Sequence, residues 1–199
     1  MKKIVIALLA LGAAGAAQAD IIPALTVTSP VQVGSLFAYN YTATLAADQQ
    51  LETGSFFTIY DFQGFDSFGT LGAGFAASTS LLGQTPDDVL PTDSASVLNA
   101  TFIYTGPTLN NPPAGGQGVA TELGTFQIFS RFNGLGLVKF ASRAVKNNGP
   151  AAGTTISNVG STAGPLAAVP EPSVWAMLLI GFGAIGVSVR RRNSGAVAA

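Results

Sequence analysis

Apolar and polar positions alternate through LFAYNYTATL (36–45), placing Phe37, Tyr39, Tyr41, Ala43 and Leu45 on one side and Asn40, Thr42 and Thr44 on the other. A period of two over ten residues predicts a half-buried β-strand. GSFFTIYDF (54–62), rich in aromatic and β-branched residues between Gly54 and Gly64, predicts a second. ASVLNATFIYTG (95–106), ELGTFQIFSRF (122–132) and LGLVKFASRAVK (135–146) repeat the pattern. Asn133-Gly134 stands between the last two and predicts a tight hairpin there. IIPALTVTS (21–29) and GTTISNVGS (153–161) are weaker strand candidates.

Turn-rich stretches separate these runs: FGTLGAGFAAS (68–78), GQTPDDVLPTDS (83–94) and GPTLNNPPAGGQG (106–118). Inside residues 20–146 nothing keeps a helical period, so crossover helices for a parallel sheet are missing. The expected fold is all-β: six to eight short antiparallel strands in a β-sandwich of the immunoglobulin-like or jelly-roll sort. From Asn147 to Ala168 the chain is small, polar and uncharged, which predicts a flexible linker with room for one terminal strand.

The two ends read differently. Lys2 and Lys3 precede a short apolar run, which closes on Ala17-Gln18-Ala19. That order predicts a secretory signal peptide over 1–19, cleaved by signal peptidase so that Asp20 becomes the N-terminus. Residues 174–189 carry no charge and are followed by Arg190, Arg191 and Arg192. A helix of that length reaches about 24 Å, close enough to a ~30 Å hydrocarbon core for one transmembrane span. The arginines then fix topology, leaving 194–199 as a cytoplasmic tail and the sandwich outside, as passage through the secretion translocon also requires.

Composition narrows the chemistry. The chain has no Cys and no His, so disulfides, thiol nucleophiles, imidazole bases and Cys/His metal sites are excluded. Between Asp20 and Val169 four basic residues face nine acidic ones, a net of −5, which argues against nucleic acid as a partner. Two glycine strings, Gly181–Gly186 and Gly72–Ala77, match a dinucleotide fingerprint by spacing alone, without the strand–turn–helix setting it needs. Asp61 and Asp66, and the acidic group Asp87, Asp88 and Asp93, are the carboxylates to weigh for glycosidase or calcium chemistry; beside Gly, Pro and Ser they read more simply as turn residues. Phe56, Phe57, Tyr60, Phe62, Phe65 and Phe68 crowd one segment, and any that stay exposed could stack on sugars. The Thr26/Thr28 and Thr42/Thr44 pairs are accounted for by strand propensity. No catalytic, metal or cofactor residues are assigned, and the expectation is a protein that is not an enzyme.

One segment carries a family resemblance. Pro170-Glu171-Pro172, then Trp175-Ala176, then a Gly-rich apolar stretch and the arginine cluster (169–193) resemble the PEP-CTERM sorting signal in its PEPxxWA variant. Similar C-terminal regions occur on some proteins described as ice-binding. The resemblance implies recognition by an exosortase, a membrane enzyme that processes the substrate near Pro170–Pro172 and passes it towards the cell surface. It also implies an association with exopolysaccharide or biofilm. The expectation for the sandwich is a structural or interaction component of the surface or matrix. The alternative is a carbohydrate-binding module or weak glycoside hydrolase.

Overall fold

A computed structural model describes residues 21–111, 119–167 and 176–185. Within them the chain forms twelve strands, more than the six to eight expected, and every strand pairing is antiparallel. They divide into two sheets. The first contains β1 (Ile21–Leu25), β2 (Val31–Val33), β3 (Leu36–Leu45), β6 (Phe65–Phe68) and β10 (Thr121–Ser130), in the order β1-β3-β10-β6 with β2 also beside β3. The second contains β4 (Gln49–Leu51), β5 (Phe56–Ile59), β7 (Phe75–Ser80), β8 (Asn99–Tyr104), β9 (Leu109–Asn111), β11 (Gly134–Lys146) and β12 (Thr155–Leu166). Its order is β7-β8-β5-β11-β4-β9, with β12 also paired to β11.

The alternation in β3 becomes the face of the core. Tyr39, Tyr41, Ala43 and Leu45 are fully buried, while Asn40, Thr42 and Thr44 are half-buried on the opposite side. β5 is different: Phe56, Phe57, Thr58 and Ile59 are all buried, because the segment after β7 lies over its outer face. There the Thr58 hydroxyl donates to the Gln84 carbonyl (2.8 Å), and the Tyr60 hydroxyl donates to the same carbonyl (2.9 Å). Asp93 and Asp61 pin this cover: Asp93 accepts from the Gly83 N–H and the Asn99 amide, and Asp61 accepts from the Ser94 N–H.

Between the sheets the filling is aromatic. Phe126 of β10 lies edge-on to Phe57 (5.0 Å, 87°), Phe75 (5.0 Å, 88°) and Phe102 (5.2 Å, 73°), three rings from the opposite sheet. Phe57 and Phe102 stack on neighbouring strands at 4.7 Å. Edge-to-face contacts of this kind add about 0.5–1.5 kcal/mol each beyond the area they bury.

Three expectations are corrected. Asn133-Gly134 does not close a hairpin: β10 and β11 belong to different sheets, so residues 131–133 form an arch across the sandwich. A two-residue type I′ turn needs positive φ at both positions, and neither Asn133 nor Gly134 has it. The stretch 147–168 is not mainly a linker. Β12 takes up 155–166 and pairs with β11 in an unbroken register from Thr155↔Val145 to Leu166↔Gly134. The sandwich therefore runs to Ala167 rather than stopping at 146. Thirdly, β7 lies partly inside the stretch 68–78 that reads as turns.

Glycines make the β11–β12 ladder possible. A Cβ on Gly160 would sit 2.5 Å from the Phe140 ring, one on Gly164 2.6 Å from Val138, and one on Gly136 2.1 Å from Leu166. Large side chains of one strand thus lie flat across glycines of the other. Pro23 in β1 and Pro165 in β12 both lie in strands at sheet edges, where proline is tolerated in β-structure.

Truncating Phe126→Ala is expected to cost about 3–5 kcal/mol, the range for deleting a buried aromatic ring. Gly160→Ala should cost about 1–3 kcal/mol by overpacking against Phe140. Urea unfolding of each variant beside the parent chain measures both, and an unchanged midpoint for either would refute the packing assigned to it.

Candidate functional site

The residues singled out for processing and topology fall mainly outside the described ones: Ala17, Ala19 and Asp20 at one end, and Pro170, Glu171, Pro172, Trp175, Arg190, Arg191 and Arg192 at the other. Ala176 opens a described helix over 176–185, here α1, which lies within the span expected for 174–189. Met177, Leu178, Leu179, Ile180, Phe182 and Ile185 on α1 are all exposed. Among the described residues no helix is long and apolar enough to cross a membrane.

The seat from which the C-terminal segment leaves is well defined. β12 ends at Leu166, opposite Gly134 at the start of β11. One residue later the Ala167 N–H donates to the Gln63 side-chain carbonyl (2.8 Å), tying the exit to the turn between β5 and β6. The neighbouring arch is fastened to that turn as well. The Ser130 hydroxyl donates to the Gln63 carbonyl (2.8 Å), and the Arg131 N–H donates to the Gly64 carbonyl (2.9 Å). Gly64 has φ of 64°, and a Cβ there would lie 2.7 Å from the Phe132 ring, so only glycine fits both demands. A groove of about 390 Å³ lined by Phe62, Gln63, Phe65, Val97, Leu98 and Phe132 opens at this end.

Two tyrosines hold the seat from inside. The Tyr39 hydroxyl reaches the Phe132 carbonyl (3.0 Å) and the Gly134 carbonyl (2.9 Å), on either side of the arch. The Tyr41 hydroxyl donates to the Ala163 carbonyl of β12 (2.8 Å), joining the sheets at the strand that leads into the tail. Burial pushes the Tyr39 phenol up to about 12. Burial first, and then the neighbouring Tyr39 charge, raises Tyr41 as well. Sequence reasoning had both residues in the core but missed the role of their hydroxyls. A Tyr rather than Phe at two consecutive core positions was the available signal, since a buried phenol has to find an acceptor.

Three of the carboxylates weighed for chemistry have structural partners. Asp61 and Asp93 hold the cover over β5, as described above. Asp66 pairs with Arg131 at 3.3 Å. Asp87 and Asp88 border a shallow groove with Arg143, Thr155 and Ser157. Among the described residues no group of three or more acidic side chains is placed to hold a metal ion. Of the crowded aromatics, Phe56, Phe57, Tyr60 and Phe62 are buried, and Phe65 and Phe68 are half-buried against the core. Phe132 is the one exposed aromatic ring among the described residues of the sandwich.

The chain is thus a two-sheet antiparallel β-sandwich whose final strand delivers a separate C-terminal segment at one end. Residues 168–192 of that segment match the family model of the PEP-CTERM protein-sorting motif, and the chain carries that motif. The motif marks an exported protein sorted to the cell surface and implies processing by an exosortase, a membrane enzyme. No curated protein and no solved structure is a match for the chain.

A pH dependence follows from the tyrosines. Their folded-state values lie above the ordinary 10.0, so above that pH the folded chain binds more protons than the unfolded one. Their contribution to stability is complete below pH 10 and falls as the pH climbs through 12. Urea midpoints should therefore drop steeply above pH 10, with tyrosinate absorbance appearing together with unfolding. Tyr41→Phe should cost about 1–3 kcal/mol at neutral pH, by leaving the Ala163 carbonyl unpaired, and should shallow the alkaline decline. Tyrosinate that forms at its ordinary pH while the fold persists would contradict the burial of these phenols.

Proposed function

We propose that the chain is exported behind a signal peptide cleaved after Ala19 and is held in the membrane by a span over 174–189. Arg190, Arg191 and Arg192 stay on the cytoplasmic side, and the exosortase then acts at the Pro170–Pro172 region. The product is the sandwich alone, a non-enzymatic structural or interaction component of the cell surface or extracellular matrix, linked to exopolysaccharide. The observation that supports this reading is the junction itself. The last strand closes at Leu166, Ala167 is fastened to Gln63, and the matched motif starts at 168. Cleavage within the motif therefore removes no strand and no core residue from the sandwich. The carbohydrate-binding alternative has the groove containing Phe62, Phe65 and Phe132 as its support, with Phe132 as the ring free to stack on a sugar.

Intact mass of the protein from the native bacterium, compared between membrane and medium and between strains with and without the exosortase, tests the processing. The expected species begins at Asp20 and ends near Pro170, and disappears in the strain without the enzyme. Glu171→Ala should leave the tail in place without altering the unfolding midpoint of the sandwich. Chains that keep Arg190 to Ala199 in both strains would mean a permanent anchor and would overturn the reading. Glycan binding that is lost in Phe132→Ala would favour the carbohydrate-binding alternative.

A further inference from the structure

The end of the sandwich that releases the tail carries a group of exposed apolar side chains. Four chain features meet there: the β2–β3 turn at Gly34-Ser35, the 63–64 turn, the arch over 131–133 and the exit of β12. Val31 and Val33 of β2 are about half exposed (49% and 50%), and Phe132 of the arch is 37% exposed. Leu135 and Leu137 of β11 and Leu166 of β12 complete the rim, with Leu137 exposed to 81%. Both sheets contribute to it. β2 continues down β3 from β1, and β1 is the strand of the first sheet that contacts β11 and β12.

Charged residues lie at both ends of the sandwich. Asp48, Glu52 and Glu122 lie toward the opposite end, beside Lys146, Ser55 and Thr44 respectively. At the rim end Asp66 is paired with Arg131, Asp61 accepts from the Ser94 N–H and Asp93 from Gly83 and Asn99, while Lys139 lies midway along β11 opposite Ser161. The rim carries no excess of cations, so apolar contact is what suits it to a bilayer interface.

Chain length supplies the geometry. Six residues, 168–173, separate Ala167 from the start of the span at Val174. Fully extended, that connection reaches at most about 25 Å, at ~3.3–3.6 Å per residue. β12 alone is about 40 Å long, at ~3.3 Å per residue. The tail thus holds the rim near the membrane while the distal end projects away from it. A short covalent tether also turns docking into an intramolecular event, for which weak contacts suffice.

We infer that, while the chain is anchored, the rim formed by Val31, Val33, Phe132, Leu135, Leu137 and Leu166 seats on the phospholipid bilayer that holds the sorting helix. The sandwich then stands on the membrane as a platform, with the motif emerging at the lipid interface. This inference rests on the membrane span proposed above.

The absence of cysteine makes the test direct, because single Cys substitutions take one fluorophore each. The full chain is reconstituted in vesicles of phosphatidylethanolamine and phosphatidylglycerol, with and without brominated acyl chains, carrying labels in four separate variants. Val33→Cys and Leu137→Cys report on the rim from opposite sheets, Ala151→Cys reports on the distal turn, and Ile180→Cys reports on the helix. The expected result is loss of emission at 33, 137 and 180 with brominated lipid, and none at 151. Quenching at 180 without quenching at 33 or 137 would leave the span intact and overturn the docking. No quenching at 180 would overturn the span and the docking with it. Emission at 33 and 137 that responds to protein concentration rather than to brominated lipid would mean that a second copy covers the rim, which also overturns the inference.

Discussion

Phe126 is the piece that makes one body of two sheets. It is the ring of β10 that meets Phe57, Phe75 and Phe102 edge-on, and each of those belongs to a different strand of the opposite sheet. A chain without cysteine has no covalent cross-link to hold an extracellular fold together, so cohesion must come from packing. Rings suit that task because they bury large areas in few rotamers, and their edge-to-face preference gives the core a defined geometry rather than an oily contact. Phe68 and Phe65 extend the same network to β6 at the edge of the first sheet.

Apolar packing alone does not specify how the chain passes between the sheets; the buried hydroxyls contribute that. Tyr39 takes carbonyls from both sides of the β10–β11 arch, and Tyr41 takes one from β12. Each bond joins residues more than 90 positions apart. A buried phenol left unpaired costs more than a phenylalanine in its place, so these two positions select the native crossing over alternatives in which the arch lies elsewhere.

The parts of the fold that were legible in the sequence are those in which a strand carries its own hydrophobic face. β3 shows its alternation openly, and the burial of Tyr39, Tyr41, Ala43 and Leu45 follows it position by position. β12 was only partly legible, for the opposite reason. Its glycines contribute no apolar surface, and the surface that covers them belongs to Phe140 and Val138 on β11. Composition read along one strand cannot register a face that its partner provides, so 153–161 reads as a weak strand inside a linker, and an edge strand forms over 155–166. The Asn133-Gly134 signal failed because it is local: a dipeptide suited to a hairpin is also suited to an arch, and the choice is made by which sheet each flanking strand can join. The sorting motif was the most legible feature of all, since it is recognised as a linear string; the seat formed by Gln63, Gly64 and Phe132 depends on long-range contacts and left no trace in spacing.

The junction at Ala167 gives the molecule its division of labour. Everything needed for the sandwich to hold together lies before it, and the matched motif lies wholly after it. If the last strand had drawn residues from the motif into its ladder, the same Pro-Glu-Pro backbone would have had to serve both a sheet and an enzyme. Pro170 and Pro172 make that unworkable, since each removes a ladder donor and fixes φ. Placing the final ladder pair at Leu166 and Gly134, with a single side-chain bond from Gln63 to Ala167 as the stop, keeps the two demands on separate residues. Selection on the motif can then proceed without disturbing the aromatic core, and substitutions in the core can be tolerated without changing how the tail is read.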